Sequence, residues 1–370
     1  MCGIAGILYK NDAVNAASGQ DLNQIIDTFK QRLLHRGPDE QGAHQRARSG
    51  FVNARLAIVD IAGGSQPIFS ADQRIGIVYN GEIYNFREVR GELEAHGIKF
   101  TTDTDTEVVL RGYEHWGVDA FKRFNGMFAF CIWDEREDAV YLVRDRFGIK
   151  PLYLYQDESQ IIFSSEIRAI LSVPSIDRSL DARAVQDYLT FRYIPAPYTL
   201  FQKIASVEAG SYMRVKAGIA TQHRFATLNY QERIPPISVE NAKRELCEKL
   251  SAAVKSQLMG EVPIGVLLSG GIDSSAIAYF VHQAGANLTT YNIGFPDLNE
   301  FEFSRQVAKQ LGLRHVEVVT TPSELLNLFD EIVAALDSPM ADPACFPLYR
   351  LCQEIKREVT VVLSGESGDE

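Results

Sequence analysis

Three places in this sequence carry residues whose types and spacing could do chemistry. Cys2 is the second residue of the chain. With Met1 removed, its thiol would sit beside its own α-amino group, so one residue supplies nucleophile and base. Such an amine titrates at about 7.7–8.0, close to working pH, as a general base should. Asn80-Gly81 follows the apolar run Ile75–Tyr79. Asn-Gly between apolar runs is ordinarily a hairpin turn; an Asn amide and a Gly N–H are also the two donors an oxyanion hole needs. Val262 to Ser275 reads V-P-I-G-V-L-L-S-G-G-I-D-S-S. Here a buried strand, Ile264–Leu268, runs into a turn at Ser269, Gly270 and Gly271, and Asp273 precedes a helical pattern. A glycine-rich turn leading into a helix offers backbone N–H groups and a partial positive charge to an anion. It lacks the lysine of a G-x-x-x-x-G-K-[ST] loop, so it is not that kind of phosphate site; the alternative is a βα turn that is merely rich in Gly and Ser.

The elements that must position these residues follow from periodicity. Residues 2–9 read as a buried strand, and Leu22, Ile25, Ile26, Phe29 and Leu33 space as an amphipathic helix ended by Gly37-Pro38. Strands are predicted at 51–60, 75–79, 127–133 and 140–144, with a helix over 106–116. Val173 to Pro236 is richer in proline and reads as a connector that closes a first domain. Beyond it, a long helix is predicted over 239–259 with Ala242, Leu246, Leu250, Val254 and Leu258 on one face. Strands at 264–268, 289–295, 315–319 and 359–363 then alternate with helices at 303–311 and 323–336, which implies a doubly wound parallel sheet. Ligands of such sheets bind beyond the strands' carboxyl ends. The phosphate-type turn, Gly294 and Ser364 to Glu370 all fall there.

Hydrophobic content of 46% and charge of 23% over 370 residues describe an ordinary globular protein of two or three domains. The net charge of −11 argues against nucleic acid as a partner. Five cysteines without a C-x-x-C pair argue against a disulfide framework or a zinc site. No apolar run reaches the length of a membrane span and no secretory signal is visible, so a cytoplasmic location is expected.

Met1-Cys2-Gly3-Ile4, H-R-G-P-D at 35–39, R-L-A-I-V-D at 55–60 and N-G-E-I-Y-N at 80–85 together resemble class II glutamine amidotransferase domains. The resemblance implies an N-terminal-nucleophile hydrolase over residues 2–172, with two stacked sheets between helical layers (αββα). It makes Cys2 the nucleophile that releases ammonia from glutamine, and Asn80 and Gly81 the oxyanion hole. Arg55 would hold the glutamine α-carboxylate, with Leu56, Ala57, Ile58 and Val59 beside it. Glu82 and Asp105 would surround the α-amino end; Asp105 is preferred to Asp103 because T-E-V-V-L follows it. Residues 144–153 and 163–166 match the same family when fused to a synthetase and receive no catalytic role.

The second half, 237–370, resembles the synthetase domain of glutamine-hydrolysing asparagine synthetases, an α/β sheet that is incomplete here. The resemblance implies ATP and Mg²⁺ as cofactors and aspartate as acceptor, activated as an acyl-adenylate that ammonia, carried inside the protein, attacks. Leu267, Ile293, Ser364 and Gly365 would contact adenosine, and Ser269, Gly270, Gly271, Asp273, Ser274 and Ser275 the pyrophosphate. Asp273 and Asp369 would hold Mg²⁺, and Glu366 would act near the acyl-adenylate. Leu336 to Pro343 resembles a stretch that helps form the aspartate pocket. Ser367 departs from the glycine of the family pattern, and the family's chain continues past Glu370, so the sequence reads as a fragment, a cropped piece of a longer chain or a truncated relative. The resemblance allows a homodimer. Two alternatives share these residues: the same machinery acting on a sugar-acid or peptide carboxylate, and a non-catalytic sensor of glutamine or nucleotide.

Overall fold

The computed structural model describes residues 1–10, 21–227, 236–286 and 288–366. Two compact units divide the chain: Met1–Tyr230 with Asp337–Met340, and Gln231–Leu336 with Ala341–Glu370.

The first unit opens with strand β1 (Gly3–Tyr9), helix α1 (Leu22–Leu33) and the hairpin of β2 (Glu40–Arg46) and β3 (Ser49–Arg55). Then come β4 (Ile68–Phe69), β5 (Ile75–Ile83), α2 (Phe86–Ala95), α3 (Asp105–Trp116), β6 (Gly126–Asp134), β7 (Ala139–Arg144), β8 (Tyr153–Gln156), β9 (Gln160–Ser164), α4 (Ile167–Leu171) and α5 (Ala182–Phe191). The strands β10 (Ile204–Ser206), β11 (Ser211–Lys216) and β12 (Ile219–Arg224) complete the unit. Two six-stranded sheets result, in the orders β10-β8-β9-β1-β3-β2 and β12-β11-β7-β6-β5-β4. The predicted connector over 173–236 therefore does more than join: β10 extends the first sheet along β8, and β11 with β12 extends the second along β7.

Alternation on β1 explains the layering. Ala5, Ile7 and Tyr9 face α1, whose Leu22, Ile25, Ile26, Phe29 and Leu33 are buried as their spacing requires. Ile4 faces the other way, into an inter-sheet core with Phe51, Val78, Cys131, Trp133, Leu142 and Phe163. Trp133 stacks on Phe51 at 4.3 Å between ring centres. Burying each such side chain contributes about 1.5–3 kcal/mol. Asp21 starts α1 by accepting from the Asn23 N–H.

The second unit contains α6 (Val239–Gln257), β13 (Ile264–Leu267), α7 (Ile272–Gln283), β14 (Leu288–Gly294), α8 (Phe301–Leu311), β15 (Arg314–Val319), α9 (Pro322–Asn327), α10 (Phe329–Ala335), α11 (Cys345–Ile355) and β16 (Val361–Leu363). The sheet is parallel in the order β15-β14-β13-β16. One face packs Val254, Ala278, Val281 and Ala308 against Val266 and Leu288; on the other, Leu351 and Ile355 pack against Tyr291 and Val318. Helices on both faces make the sheet doubly wound. The single helix predicted over 323–336 is two: a capping box of Thr321 and Glu324 starts α9, and Leu328 ends it. On α6 only Val254 is fully buried, and Leu246, predicted on the apolar face, is 66% exposed. All five cysteines are free thiols.

Candidate functional site

Cys2 lies at the start of β1. The thiol is half-buried against the loop that follows β3. The Leu56 N–H donates to Sγ at 3.4 Å, and Sγ lies 3.6 Å from the Leu56 carbonyl. Arg36 Nε donates to the Cys2 carbonyl at 2.9 Å. Burial pushes the thiol above its ordinary value, the Leu56 backbone and the terminal ammonium oppose that, and Glu82 and Asp105 add to it. Burial lowers the Met1 ammonium to about 6. These mutual influences gather Met1, Cys2, Arg36, Glu82 and Lys150 in one charged neighbourhood.

Asn80 and Gly81 do not form a turn. They continue β5, paired with Ala129 and Phe128 of β6. Phe128 gives its N–H to the Asp145 carboxylate and accepts the Asp145 N–H at its carbonyl. Gly81 and Phe128 are thus a non-hydrogen-bonded pair, and the Gly81 N–H is turned to the far edge of β5. Its neighbours on that edge are satisfied by side chains: Tyr79 N–H by Gln66 and Ile83 N–H by Asp105. Asn80 is 1% exposed, and neither its Oδ1 nor its Nδ2 has a partner. Glu82 shares the face of Asn80, since it lies two residues along a strand. Its Oε2 is also buried without a partner. Burial, then the charge of Asp105, pushes Glu82 up to about 8, while Lys150 and the terminal ammonium pull it down.

Asp105 is the first residue of α3, after the capping Thr104. Its carboxylate accepts from Tyr79 Oη at 2.7 Å and Ile83 N at 2.9 Å, yet burial holds it above the usual carboxylate range. Asp103 is 86% exposed and pairs with Arg90 at 2.9 Å. The two aspartates of T-D-T-D-T-E therefore have different surroundings.

Arg55 is buried at the end of β3, and its guanidinium is occupied. It reaches Glu40 at 3.2 Å, Ile61 O at 3.2 Å, Val59 O at 3.3 Å and Asp60 O at 2.6 Å. It thus holds the 56–61 loop whose Leu56 touches the thiol. Asp60 anchors that loop again, accepting from Gly63 N and Asp103 N, both at 2.8 Å.

In the second unit the carboxyl edge of the parallel sheet collects the other predicted residues. Gly270 has φ +90°, which favours glycine, and a Cβ there would stand 2.5 Å from Phe303 Cβ. Ser269 Oγ meets Ser274 Oγ at 3.0 Å and accepts from Gly271 N at 3.2 Å. Gly271 is the residue before α7, so Asp273, predicted to precede the helix, stands in its first turn, exposed. Ser275 Oγ is buried without a partner. Leu267 ends β13, Ile293 lies one residue from the end of β14, and Ser364 and Gly365 follow β16. Glu366 is exposed; Asp369 lies outside the described residues. Among the described residues no cluster of three or more metal-ligating side chains occurs.

Comparison with known proteins follows the same division. A family model described as "Glutamine amidotransferase domain" matches residues 1–226, and one described as "Asparagine synthase" matches residues 245–370. Asparagine synthetase [glutamine-hydrolyzing] 1 of Bacillus subtilis is 38% identical over all of this chain and 58% of its own length. A putative asparagine synthetase 2 of Methanocaldococcus jannaschii is 33% identical, over all of this chain and 75% of its own. The chain belongs to the glutamine-hydrolysing asparagine synthetase family. Asparagine synthetase B of Escherichia coli is 30% identical, again over the whole of this chain and 64% of its own. The chain thus spans about six tenths of the first of these synthetases.

The edge of the second sheet fits the nucleotide such a family uses. The turn at 269–271 is free of large side chains, α7 begins there, and the orphaned Ser275 hydroxyl lacks an acceptor or donor. For Mg²⁺ the described residues offer Asp273, a hard oxygen donor.

Three residues near the thiol received no role in the sequence reading, although the motifs that hold them were matched to the family. Lys150, Arg36 and Glu166 lie in motifs that read as turns or a strand end. Lys150 is 5% exposed, burial lowers it, and its Nζ lies 3.2 Å from Met1 Sδ. For Lys150 the signal was a charged residue inside an otherwise apolar stretch, F-G-I-K-P-L. Among the described residues no helix is long and apolar enough to cross a membrane.

Proposed function

We propose that this chain hydrolyses glutamine at Cys2 and serves the ATP-dependent amidation of aspartate to asparagine. The observation that carries the first half is the pairing of an orphaned, buried Asn80 amide with a Gly81 N–H turned off its sheet, on one strand beside the thiol. Two donors held without partners suit a charge that exists only during reaction. The thiol adds to the carboxamide carbon of glutamine. Asn80 Nδ2 and Gly81 N–H receive the oxyanion, and the α-amine freed by removal of Met1 passes the thiol proton to the departing ammonia, leaving a glutamyl thioester on Cys2; water, giving its proton to the same amine, then adds to the thioester carbon and releases glutamate and the free thiol. Glu82 and Asp105 form the acidic end that receives the substrate ammonium. Arg55 shapes the loop beneath the α-carboxylate.

In the second unit, ATP would lie across the carboxyl edge of the sheet, with the 269–275 turn on its pyrophosphate and Leu267, Ile293, Ser364 and Gly365 about the adenosine. Its chemistry is activation of the acceptor carboxylate as an acyl-adenylate; Asp273 with Asp369 would hold Mg²⁺, and Glu366 would handle the proton of the attacking ammonia. That ammonia must arrive unprotonated, since ammonium has no lone pair.

The test is glutamate release from glutamine by the 370-residue chain. Wild type should release it, and Cys2→Ala should not, with unchanged thermal unfolding. Activity retained by Cys2→Ala would overturn the assignment.

A further inference from the structure

We propose that Glu166 and Asp337 position the nucleophile, acting on Cys2 through Arg36 and Arg168. The inference rests on Cys2 being the nucleophile.

Once Met1 is gone, Cys2 has no upstream peptide to restrain it. Its carbonyl is then the anchor that fixes the residue before β1 begins, and Arg36 Nε holds that carbonyl at 2.9 Å. Arg36 is itself held: its Nη1 donates to Glu166 Oε1 at 3.0 Å, and the Glu166 side chain is only 5% exposed. A buried carboxylate is tolerated only with partners, and Glu166 has three. His35 Nε2 lies 2.8 Å from Oε1, and Arg168 Nε lies 2.9 Å from Oε2 as an ion pair out of line for a hydrogen bond. The Arg168 Nε–H is directed at Asp337 Oδ1, 3.3 Å away.

Asp337 closes the series. Its two oxygens accept from the backbone N–H groups of Ile167 and Arg168 at 2.5 and 2.9 Å. The carboxylate thus fixes the backbone immediately after Glu166. Burial pushes Asp337 above the ordinary carboxylate value, and the Arg168 and Ile167 N–H groups oppose that. Asp337–Met340 packs within the first unit, although the chain on either side belongs to the second. These residues of the first unit therefore hold the far end of a chain of charges that ends at the thiol-bearing residue. Displacing them would remove the Asp337 hold on Arg168 and on the backbone after Glu166, loosen Glu166, and let Arg36 release the Cys2 carbonyl. The geometry of attack would suffer while the substrate's own contacts, at Glu82, Asp105 and the 56–61 loop, stayed in place.

The experiment compares wild type, Glu166→Gln, Asp337→Ala and the near-isosteric Asp337→Asn. Three quantities are read: kcat and KM for glutamate release, the rate at which iodoacetamide alkylates Cys2 (by mass spectrometry), and thermal unfolding. Glu166→Gln should lower kcat by about tenfold or more, and Asp337→Ala by about three- to tenfold, with KM within about twofold of wild type. Alkylation of Cys2 should change in the same order. If Asp337→Ala does not fold, Asp337→Asn carries the test, because it keeps an acceptor and loses the charge. A kcat within about twofold of wild type in folded Asp337 variants, or a loss seen entirely in KM, would overturn the proposal. Should wild type hydrolyse no glutamine, the glutaminase reading fails by itself. The alkylation rates still decide the relay, and equal rates in all four proteins would overturn it.

Discussion

Gly365 stands against Ser274 so closely that a Cβ at 365 would lie 2.6 Å from the Ser274 backbone nitrogen. The second residue after β16 is thus seated on the first turn of α7, beside the turn proposed to hold pyrophosphate. Gly365→Ala should push these two backbones apart, which neither can absorb by a rotamer change. Affinity for ATP, read by calorimetry, should fall by about tenfold or more, a loss of about 1.4 kcal/mol or more. Unchanged affinity would remove this junction from the nucleotide site.

Asn80 offers a separation of stability from function. Its buried amide is unpaired, and an unsatisfied buried polar group costs about 1–3 kcal/mol. Asn80→Ala should therefore leave the melting temperature equal or higher while kcat for glutamine hydrolysis falls by about 10²–10³-fold. A parallel loss of both would mean the amide is structural.

Arg55 is expected to behave differently. Its guanidinium satisfies the carbonyls of Val59, Asp60 and Ile61 at once. Arg55→Ala should raise the glutamine KM by about tenfold and also lower the melting temperature, because it leaves those carbonyls without a donor. Arg55→Lys should recover little, since a single ammonium cannot reproduce the fork. A KM equal to wild type in either variant would detach the loop from substrate binding.

Glu82 sets a pH dependence. Its folded value of about 8 lies above its ordinary 4.5. Below the ordinary value the carboxyl is neutral in both states and costs nothing. Between the two values the unfolded chain sheds the proton while the folded chain keeps it. Stability should therefore decline as pH rises from about 4.5 to 8 and level off above. Glu82→Gln should flatten that decline in a series of urea melts, leaving the part due to Asp105, which burial raises in the same direction. An identical slope in the variant would show Glu82 to be ionised in the folded protein.

Much of this was legible in residue patterns, and what was not has a physical reason. The apolar stripe of α1 is buried residue for residue because a 3.6-residue period leaves one way to face a sheet. The turn after β13 was visible because strand, glycine and helix signals are adjacent in the chain. Asn80-Gly81 was ambiguous: the same dipeptide makes a turn or a strand, and the register with β6 that decides it is set by residues more than forty positions away. Leu246 reads as core from its own helix, but its exposure depends on what the helix is packed against. The bond from Asp337 to Arg168 spans 169 positions, and no local pattern signals it.

β5 bears one last implication. Asn80 and Glu82 occupy a strand locked to β6 by a run of nine paired residues, Ile75 to Ile83. The spacing between the proposed oxyanion donor and the proposed acid for the substrate ammonium is therefore a molecular ruler of about 6.7 Å, two strand residues long. That yardstick is cut when the sheet forms, so the entropy of aligning its two marks is settled before any substrate arrives. On that proposal, adjustment to a bound amino acid falls to the 56–61 loop and not to the paired strand.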